Sequence, residues 1–223
     1  MTILLYDLVA KGDKRPTPFC LRTKLALAHK RLPYETVPVA MTDIRAIAGG
    51  PFKTVPILKE GDHLVEDSWA IADYLDQAYP DRPALFHSPE ERGLCRFLEA
   101  WMFSGLLQQI VRFYVKDIHD LLLEKDQAYF RSSREGRLGC SLEEAAAGRE
   151  ARLDGIRAGF DPARLTLTHQ GQPFLSGQNP GYADCMLAGV LVWIEIIGTA
   201  PLLEADDPLV AYLERVRTAY PIP

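Results

Sequence analysis

Residues 16–24 of the chain read Pro-Thr-Pro-Phe-Cys-Leu-Arg-Thr-Lys, between a short apolar run at residues 3–6 and an amphipathic run at residues 21–29. This order predicts a strand, a loop and the start of a helix, with Thr17 at the turn where the first backbone N–H groups lack partners. Thr17 would be a suitable N-cap, and Pro18 suits the first helical position. A sulfur or an anion bound at this turn would meet the Thr17 hydroxyl and the positive end of the helix. The sequence of this turn is therefore compatible with two roles for Thr17, a helix cap and a part of a binding site.

The composition is ordinary for a soluble globular protein, with 48% apolar and 25% charged residues in a chain of 223. That length can bury a sizeable core in one large domain or two small ones. A net charge of -5 lacks the basic footprint typical of nucleic-acid binding, and no apolar run reaches transmembrane length. Because the N-terminus continues directly into a strand-like segment without a charged leader, we expect a cytoplasmic protein with no nucleic-acid or membrane partner.

The four cysteines are widely scattered along the chain. Their spacing fits neither a zinc site nor a disulfide framework, so we expect buried or half-buried thiols and no metal site. They are Cys20, Cys95, Cys140 and Cys185.

The first eighty residues alternate between strand and helix patterns. We predict strands at 3–6 and 34–39, a hairpin of 55–58 with 63–65, and helices at 18–31, 42–48 and 68–79. This order, βαβαββα, predicts a small mixed α/β domain. Trp69, Ala72 and Leu75 should share one face of the last helix.

The second half of the chain is predicted to be all-helical. The Pro-Asp-Arg-Pro break at 80–83 and a fresh helix start at 88–91 place the boundary, with domains at 1–80 and 91–223 and a linker at 81–90. We predict helices at 91–125, 141–160, 184–197 and 208–219, of which 184–197 is almost wholly apolar and therefore central.

Two further stretches could converge with the Thr17 turn on one ligand. Pro56 heads an apolar run, where it either begins an edge strand or, if its peptide bond is cis, turns the amide and carbonyl of Val55 outward. Asp67 and Ser68 precede a helix, where they either cap it or hold the ammonium and the carboxylate of an amino acid. A small peptide with an α-amino-acid end, a central amide and a thiol would satisfy all three stretches.

The ordered set of motifs resembles a cytosolic glutathione transferase over the whole chain. It comprises T-P-F-C-L-R-T-K, T-V-P-I-L and D-S-W-A-I-A-D-Y-L, followed by the helical half. Four stretches of that half are similar to bacterial glutathione-dependent β-aryl etherases and their fungal relatives: R-F-Y-x-x-D-x-H-D from Arg112, S-R-E from Ser133, L-G-x-S-L-E from Leu138 and A-G-R-E-x-R-L from Ala147. The resemblance implies a thioredoxin-like N-terminal domain, an all-α C-terminal domain and a homodimer.

The resemblance also implies a glutathione site. Thr17 falls where the family places a serine, tyrosine or cysteine beside the glutathione sulfur, and its hydroxyl could still donate to a thiolate and lower the thiol pKa. Val55 would pair its backbone with the cysteinyl unit, Asp67 and Ser68 would hold the γ-glutamyl end, and Lys53 would bind the glycyl carboxylate. The full set is Thr17, Phe19, Lys53, Val55, Pro56, Asp67 and Ser68.

T-P-F-C also resembles a glutaredoxin C-P-F-C that has lost its first cysteine. Cys20 would then lie within the helix, so a dithiol mechanism is not possible and a cysteine-type thiol transferase is disfavoured. The β-branched side chain of Thr17 has a restricted rotamer, which could limit its catalytic strength.

The second substrate should lie between the domains, against the first long helix of the helical half. Trp101, Phe113 and Tyr114 could supply aromatic surface there, although each could equally be a core residue. Arg112, Asp117 and His119 match the etherase-like pattern but could form a structural ion-pair and capping network. Gly181 stands where the family has serine or threonine, and we interpret Asp184 as a folding feature that accepts first-turn amides.

The sequence thus predicts a glutathione transferase that joins the glutathione thiolate to an apolar or aromatic electrophile, with aryl ether cleavage as the etherase-like possibility. Glutathione would be a co-substrate. The alternative is a carrier of the same fold that binds glutathione and aromatic ligands without turnover, and a structural scaffold is the third hypothesis.

Overall fold

The computed structural model describes residues 2–169 and 171–220. Four strands form one sheet in the order β2-β1-β3-β4: β1 (Ile3–Leu8), β2 (Tyr34–Val39), β3 (Ile57–Glu60) and β4 (His63–Glu66). β1 pairs in parallel with β2 and antiparallel with β3, and β3 forms a hairpin with β4. Leu5, Ile57 and Leu58 are fully buried in the two central strands, as expected where a sheet is covered on both faces.

Two α-helices and a short helical segment complete this half of the molecule. α1 (Pro18–His29) connects the parallel strands, and α2 (Ser68–Ala78) follows β4. The 3₁₀ segment Met41–Gly49 stands where the sequence predicts a short helix at 42–48. The predicted βαβαββα order is confirmed, and Trp69, Ala72 and Leu75 are buried on one face of α2.

The C-terminal half is helical, as predicted. Its α-helices are α3 (Pro89–Trp101), α4 (Leu107–Leu121), α5 (Glu124–Leu138), α6 (Leu142–Ala146), α7 (Leu153–Ala158), α8 (Asp161–His169), α9 (Tyr182–Ile197) and α10 (Pro208–Ala219). Ser88 caps α3, because its side chain accepts from the Glu91 amide at 3.2 Å. The expected linker, 81–90, lies between α2 and the first turn of α3. Residues 1, 170 and 221–223 of the predicted domains lie outside the described residues.

Two predicted helices were too long. The helix expected at 91–125 is interrupted by a π-helical turn, Met102–Leu106, and ends at Leu121 because Leu122 is extended. The helix expected at 141–160 is broken after α6, where Gly148 adopts a left-handed conformation with φ 58°. α5 is a separate helix that the prediction missed. Its C-terminal Gly139 is left-handed, and a capping box at Ser141 then starts α6.

The two halves are joined most closely where α1 crosses α9. All but two residues of α9 are buried, which confirms the predicted central helix. A Cβ added at Gly189 would lie 2.9 Å from the Pro18 carbonyl oxygen and 3.0 Å from the Arg22 backbone nitrogen. The absence of a side chain at Gly189 therefore sets how closely the two helices approach.

Two ion pairs hold α1 and the residue that follows it to their surroundings. The Lys24 Nζ lies 2.6 Å from Asp7 Oδ2 on β1, and both side chains are buried. The Lys30 Nζ lies 2.6 Å from Asp76 Oδ1 on α2. Asp76 also accepts from the Leu85 amide at 2.9 Å, so the same carboxylate fixes the segment between α2 and α3.

The four cysteines are free thiols, three of them buried and Cys140 half-buried, as predicted. None of the helices in the described ranges is both long enough and apolar enough to cross a membrane.

Replacement of Gly189 should destabilise the fold. We expect Gly189→Ala to lower the free energy of unfolding by about 1–3 kcal/mol, because the new methyl group would overlap α1 backbone atoms that cannot move independently of the helix. Urea denaturation followed by circular dichroism measures this change. Gly136→Ala on α5 is the matched control, since a Cβ there meets nothing within 4 Å. It should stabilise the protein by about 0.5–1 kcal/mol. Equal stability of both variants would contradict the proposed close approach.

Candidate functional site

A pocket of about 510 Å³ lies between the two halves of the molecule. The Thr17 turn, the 3₁₀ segment and residues 53–55 form one side, and α4, α5 and Trp193 of α9 form the other. The structure therefore brings together four of the predicted site residues in one cavity: Thr17, Phe19, Lys53 and Val55.

Thr17 occupies the N-cap position of α1 without capping it through its side chain. Its backbone is extended, with φ -136°, and within the described residues its hydroxyl makes no capping hydrogen bond. The Thr17 carbonyl accepts from the Leu21 amide at 3.2 Å, the first bond into the helix. The amides of Phe19 and Cys20 precede that bond and belong to the open first turn. Thr17, Pro18 and Phe19, at the start of this turn, all line the pocket.

A residue of the helical half holds the Thr17 turn by a hydrogen bond. Trp193 donates its Nε1–H to the Pro16 carbonyl at 3.1 Å, in a buried contact between α9 and the loop ahead of Thr17. The Thr17 amide in turn donates to the Arg15 carbonyl at 3.0 Å. The sequence analysis missed Trp193, because it lies in an apolar run where a core role is the default interpretation.

The second stretch is fixed by a carboxylate. The Val55–Pro56 peptide bond is cis, one of the two alternatives that the sequence left open. Glu66 Oε1 accepts from the amides of Lys53 and Thr54 at 3.0 and 3.1 Å, which holds the loop ahead of Val55. Val55 is buried and Lys53 is exposed, and both line the pocket.

The third stretch lies directly beside the second, since the Asp67 amide donates to the Pro56 carbonyl at 3.3 Å. Asp67 is the N-cap of α2, and its Oδ1 accepts from the amides of Trp69 and Ala70 at 2.9 and 3.0 Å. Its φ of 82° is left-handed, a conformation that costs a non-glycine residue about 1–3 kcal/mol. The surrounding hydrogen bonds maintain that geometry.

Ser68 is buried and bonded on both its polar groups. Its Oγ accepts from Arg22 Nη1 at 3.4 Å, and its carbonyl accepts from the Tyr182 hydroxyl at 2.9 Å. Arg22 also donates to Glu99 Oε1 of α3 at 2.7 Å. Asp67 and Ser68 adjoin Pro56 and are not among the described residues that line the pocket.

Phe19 forms part of the pocket mouth. Its ring stacks on that of Phe103, with centroids 5.5 Å apart and planes inclined by 10°. The Arg22 guanidinium also lies over the Phe19 ring, 5.4 Å from its centroid. Phe103 belongs to the π-helical turn that interrupts the predicted long helix.

A buried carboxylate anchors the 3₁₀ segment to the helical half. Asp126 of α5 accepts from the Met41 and Thr42 amides, both at 2.9 Å, and from the Thr42 hydroxyl at 2.7 Å. The segment would otherwise begin with unpaired amides, so Asp126 acts as its cap from the neighbouring domain. The sequence analysis did not identify Asp126, because nothing local marks its partner 85 positions away.

The three aromatic residues expected at the second-substrate site, Trp101, Phe113 and Tyr114, are not among the described residues that line this pocket. Phe113 and Tyr114 are buried against each other in the core, and the Tyr114 hydroxyl donates to the Ala200 carbonyl at 2.7 Å. Trp101 is half-buried at the end of α3. The α4 side chains in the pocket are instead those of Leu107, Val111 and Ile118. Spacings of four and seven residues place these three on one face of the helix, and Phe113 lies off that face. Tyr114 has the spacing of the same face but is fully buried, with its hydroxyl bonded to the Ala200 carbonyl.

Asp117 belongs to a structural network. It accepts from Arg149 and from the Thr199 hydroxyl, which ties α4 to the loops around it. The His119 Nδ1 lies 2.9 Å from Asp120 Oδ1, and Arg112 is exposed on α4.

The Cys20 thiol is fully buried in α1 beside Asp7. Burial and the negative charge of Asp7 raise the pKa of Cys20 well above its ordinary value, although it lies near a helix N-terminus. This environment opposes thiolate chemistry at Cys20, in agreement with the expectation from its position.

Asp184 organises the loop before α9. It accepts from the amides of Leu175 at 2.7 Å, Ser176 at 3.2 Å and Gly181 at 3.0 Å. Its expected partners, the first-turn amides of α9, are therefore corrected to loop amides that precede the helix. A Cβ at Gly181 would lie 2.6 Å from Ser176 Oγ, which explains the glycine at this N-cap.

Two protein-family models match this chain, one in each half of the molecule. The family model described as glutathione S-transferase, N-terminal domain, matches residues 14–83. The model of the glutathione S-transferase C-terminal domain matches residues 93–208. Because the second match alone spans more than half of the chain, this chain belongs to the glutathione S-transferase family.

Individual relatives have low sequence identity to this chain, but the similarity covers most of its length. A probable glutathione S-transferase of Oryza sativa subsp. japonica is 27% identical, over 90% of this chain and 80% of its own length. A glutathione S-transferase of Ceriporiopsis subvermispora, solved with glutathione, superposes with a TM-score of 0.88 at 24% identity and covers 100% of this chain and 99% of its own. A second transferase of that fungus, also solved with glutathione, gives 0.82 at 25% identity, over 98% and 97%.

Proposed function

We propose that this protein is a glutathione transferase in which Thr17 and the N-terminal end of α1 stabilise the glutathione thiolate. The observation that carries the proposal is the state of Thr17. Its hydroxyl is not used to cap α1, and Thr17 lines the pocket together with Val55. A hydroxyl that is not engaged by its own helix can donate to a ligand sulfur. The family membership and the glutathione-bound relatives support the choice of ligand.

Glutathione would extend along the edge formed by the three stretches. Its cysteinyl unit would pair with the backbone of Val55 next to Pro56, and Lys53 would bind the glycyl carboxylate. The γ-glutamyl carboxylate would accept from Ser68, whose Oγ already accepts from Arg22 and so has its own O–H free to donate. Asp67 would offer Oδ2 to the ammonium, since Oδ1 caps α2.

The reaction follows from this placement. Donation from the Thr17 hydroxyl and the open first turn of α1 favour the charged form of the thiol and lower its pKa. The thiolate then attacks an electrophilic carbon held against Leu107, Val111 and Ile118, with Phe19 at the pocket mouth. A sulfur–carbon bond forms, and the leaving group departs with the electron pair of the bond that breaks.

The etherase-like assignment rests on the four similar stretches in the helical half. Most of their residues build the scaffold here: Ser141 caps α6 with Glu144, and Arg149 pairs with Asp117. Ser133 and Arg134 are the two that line the pocket. If the leaving group is an aryloxide, the same attack cleaves a β-aryl ether and leaves glutathione joined to the carbon as a thioether.

We further propose a homodimer through α3. Leu94 and Phe97 lie one turn apart on this helix and are 68% and 74% exposed, which is unusual for large apolar side chains. A second copy of the chain would remove them from water.

Thr17→Val should lower kcat/KM for 1-chloro-2,4-dinitrobenzene roughly 10- to 100-fold below neutral pH, since a hydrogen bond to a charged group contributes about 1.5–3 kcal/mol. Loss of the donor raises the pKa of the bound thiol. The activity loss should therefore shrink at alkaline pH, where the thiol ionises unaided. Steady-state kinetics over a pH series measures this shift.

Thr17→Ser is the matched control and should retain activity and pH profile. Full activity of Thr17→Val would mean that a backbone amide or a neighbouring hydroxyl activates the sulfur. Glutathione binding with no turnover of any acceptor would instead indicate the carrier.

Ether cleavage predicts release of a phenol from a β-aryl ether model compound when glutathione is present. The released phenol is quantified by chromatography, and the glutathione thioether by mass spectrometry. Both products should be lost in Thr17→Val. Arylation of glutathione by chlorodinitrobenzene without phenol release would remove the etherase assignment and leave the transferase.

Phe97→Glu should convert a dimer into monomers, because a carboxylate cannot be buried there without a partner. Light scattering after size exclusion measures the mass of both forms. Leu165→Glu on α8, 51% exposed, is the control and should stay dimeric. A monomeric wild-type protein would refute the homodimer.

A further inference from the structure

The charged side chains of the pocket all have the same sign. Arg45, Lys53, Arg134 and Arg137 line it, and no aspartate or glutamate occurs among its described lining residues. The rest of the lining is largely apolar or aromatic. The glycyl carboxylate of glutathione is proposed to neutralise Lys53, but an uncharged aromatic electrophile would bring no counter-charge to the other cations.

Two of the four cations lie on α5, on the wall contributed by the helical half. The Arg134 guanidinium lies 4.7 Å from the centroid of the Phe130 ring, and its Nη1 donates to Ser133 Oγ at 3.2 Å. All three residues line the pocket. Arg134 is thus positioned by packing and by a neutral hydrogen bond, not by an acid.

The contrast with Arg131, one turn earlier on α5, is informative. Arg131 forms ion pairs with Glu135 at 2.8 Å and with Glu143 at 2.9 Å. Arg134 and Arg137 form no ion pair with any carboxylate of the described ranges. Burial, and then repulsion by Arg137, lower the pKa of Arg134. The same two causes favour an anion that enters the pocket and neutralises the pair.

We propose that the second substrate of this pocket is an anionic aromatic compound whose carboxylate, or a similar acidic group, binds Arg134 and Arg137. Its ring would lie against the apolar face of α4, with the electrophilic carbon towards Thr17. The guanidinium groups suit this role, because they present paired N–H donors to a carboxylate. The inference rests on the proposed function and changes the predicted substrate class from apolar to anionic.

The positions of the other two cations indicate that the arginines of α5 would bind the anionic group of the acceptor. Lys53 lies beside Val55 and is proposed to bind the glycyl carboxylate of glutathione, with Arg45 on the same N-terminal wall. Arg134 and Arg137 lie on the wall of the helical half, where the acceptor is expected. They are specificity-determining residues for the acceptor, and Thr17 remains the group that contacts the sulfur.

Two acceptors with the same ring and leaving group test this inference: 4-chloro-3-nitrobenzoate and 4-chloro-3-nitrobenzamide. Each kcat/KM is divided by the rate constant of the uncatalysed reaction with glutathione, which removes the difference in intrinsic reactivity. The wild type should then prefer the benzoate by about tenfold or more, through a lower KM for the acceptor.

Arg134→Gln and Arg137→Gln should each bring this preference close to unity, and Arg137→Glu should favour the benzamide. Arg112→Gln removes the same charge from an exposed site on α4 outside the pocket lining and should keep the preference. Higher salt should weaken the benzoate preference of the wild type and have little effect on the benzamide.

A binding measurement separates the inference from the proposed function. 3-Nitrobenzoate and 3-nitrobenzamide lack a leaving group, and quenching of tryptophan fluorescence reports their binding near Trp193. Tighter binding of the nitrobenzoate than of the nitrobenzamide, lost in Arg134→Gln, would support the anionic ligand class. This holds even if no acceptor is turned over. Absence of turnover would refute only the proposed transferase activity.

Two results would overturn the inference. Equal corrected rates for the two acceptors, with equal binding of the two nitro compounds, would mean that the arginines do not select the acceptor, while the transferase stands. A higher KM for glutathione in the α5 variants, with an unchanged benzoate preference, would assign the arginines to a glutathione carboxylate.

Discussion

The buried hydrogen bond from Trp193 Nε1 to the Pro16 carbonyl fixes the loop from which the site is built. It can form because α9 passes very close to α1, and that approach requires a residue without a side chain at Gly189. Helix packing and the position of the Thr17 turn are therefore one constraint. A shift of α9 would move the loop that carries the proposed sulfur-binding hydroxyl, even though α9 belongs to the other half of the chain.

The same principle recurs around the pocket, where charged side chains of one half hold backbone or side-chain groups of the other. Asp126 of α5 caps the 3₁₀ segment, and Glu99 of α3 pairs with Arg22 of α1, which reaches Ser68. These contacts are buried or half-buried, so each would be costly to break by removal of one partner. The pocket thus has walls from both halves that are linked by hydrogen bonds as well as by apolar packing.

Local patterns predicted the fold well, because turn chemistry and periodicity act over a few residues. The bounds of β2 and α10 follow directly from such patterns, as does the burial of α9. The failures lie where conformation depends on distant partners. Periodicity does not reveal a π-helical turn at 102–106. It also cannot separate Tyr114 from Leu107 and Val111, because all three have the spacing of one helix face although only the last two line the pocket.

Motif order likewise predicted that several of these residues lie together, while the hydrogen-bond partners of each hydroxyl needed the structure. Thr17, Lys53 and Val55 line one cavity and Asp67 adjoins Pro56, as their order along the chain suggested. The residues that complete the pocket, such as Trp193 and Arg134, are separated from Thr17 by most of the chain. No local pattern pairs them with it.

The Thr17 turn began as a choice between helix cap and binding site, and the structure separates the two roles. Pro18 at the first helical position removes one N–H that would otherwise need a cap, and its ring restrains the backbone in a helical conformation. Trp193 of α9 holds Pro16, the residue before Thr17, by a hydrogen bond to its carbonyl. Because the start of α1 is fixed by these neighbours, the Thr17 side chain is not needed to define it. Because α1 does not use the Thr17 hydroxyl as a cap, that hydroxyl remains available for the proposed hydrogen bond to a ligand sulfur.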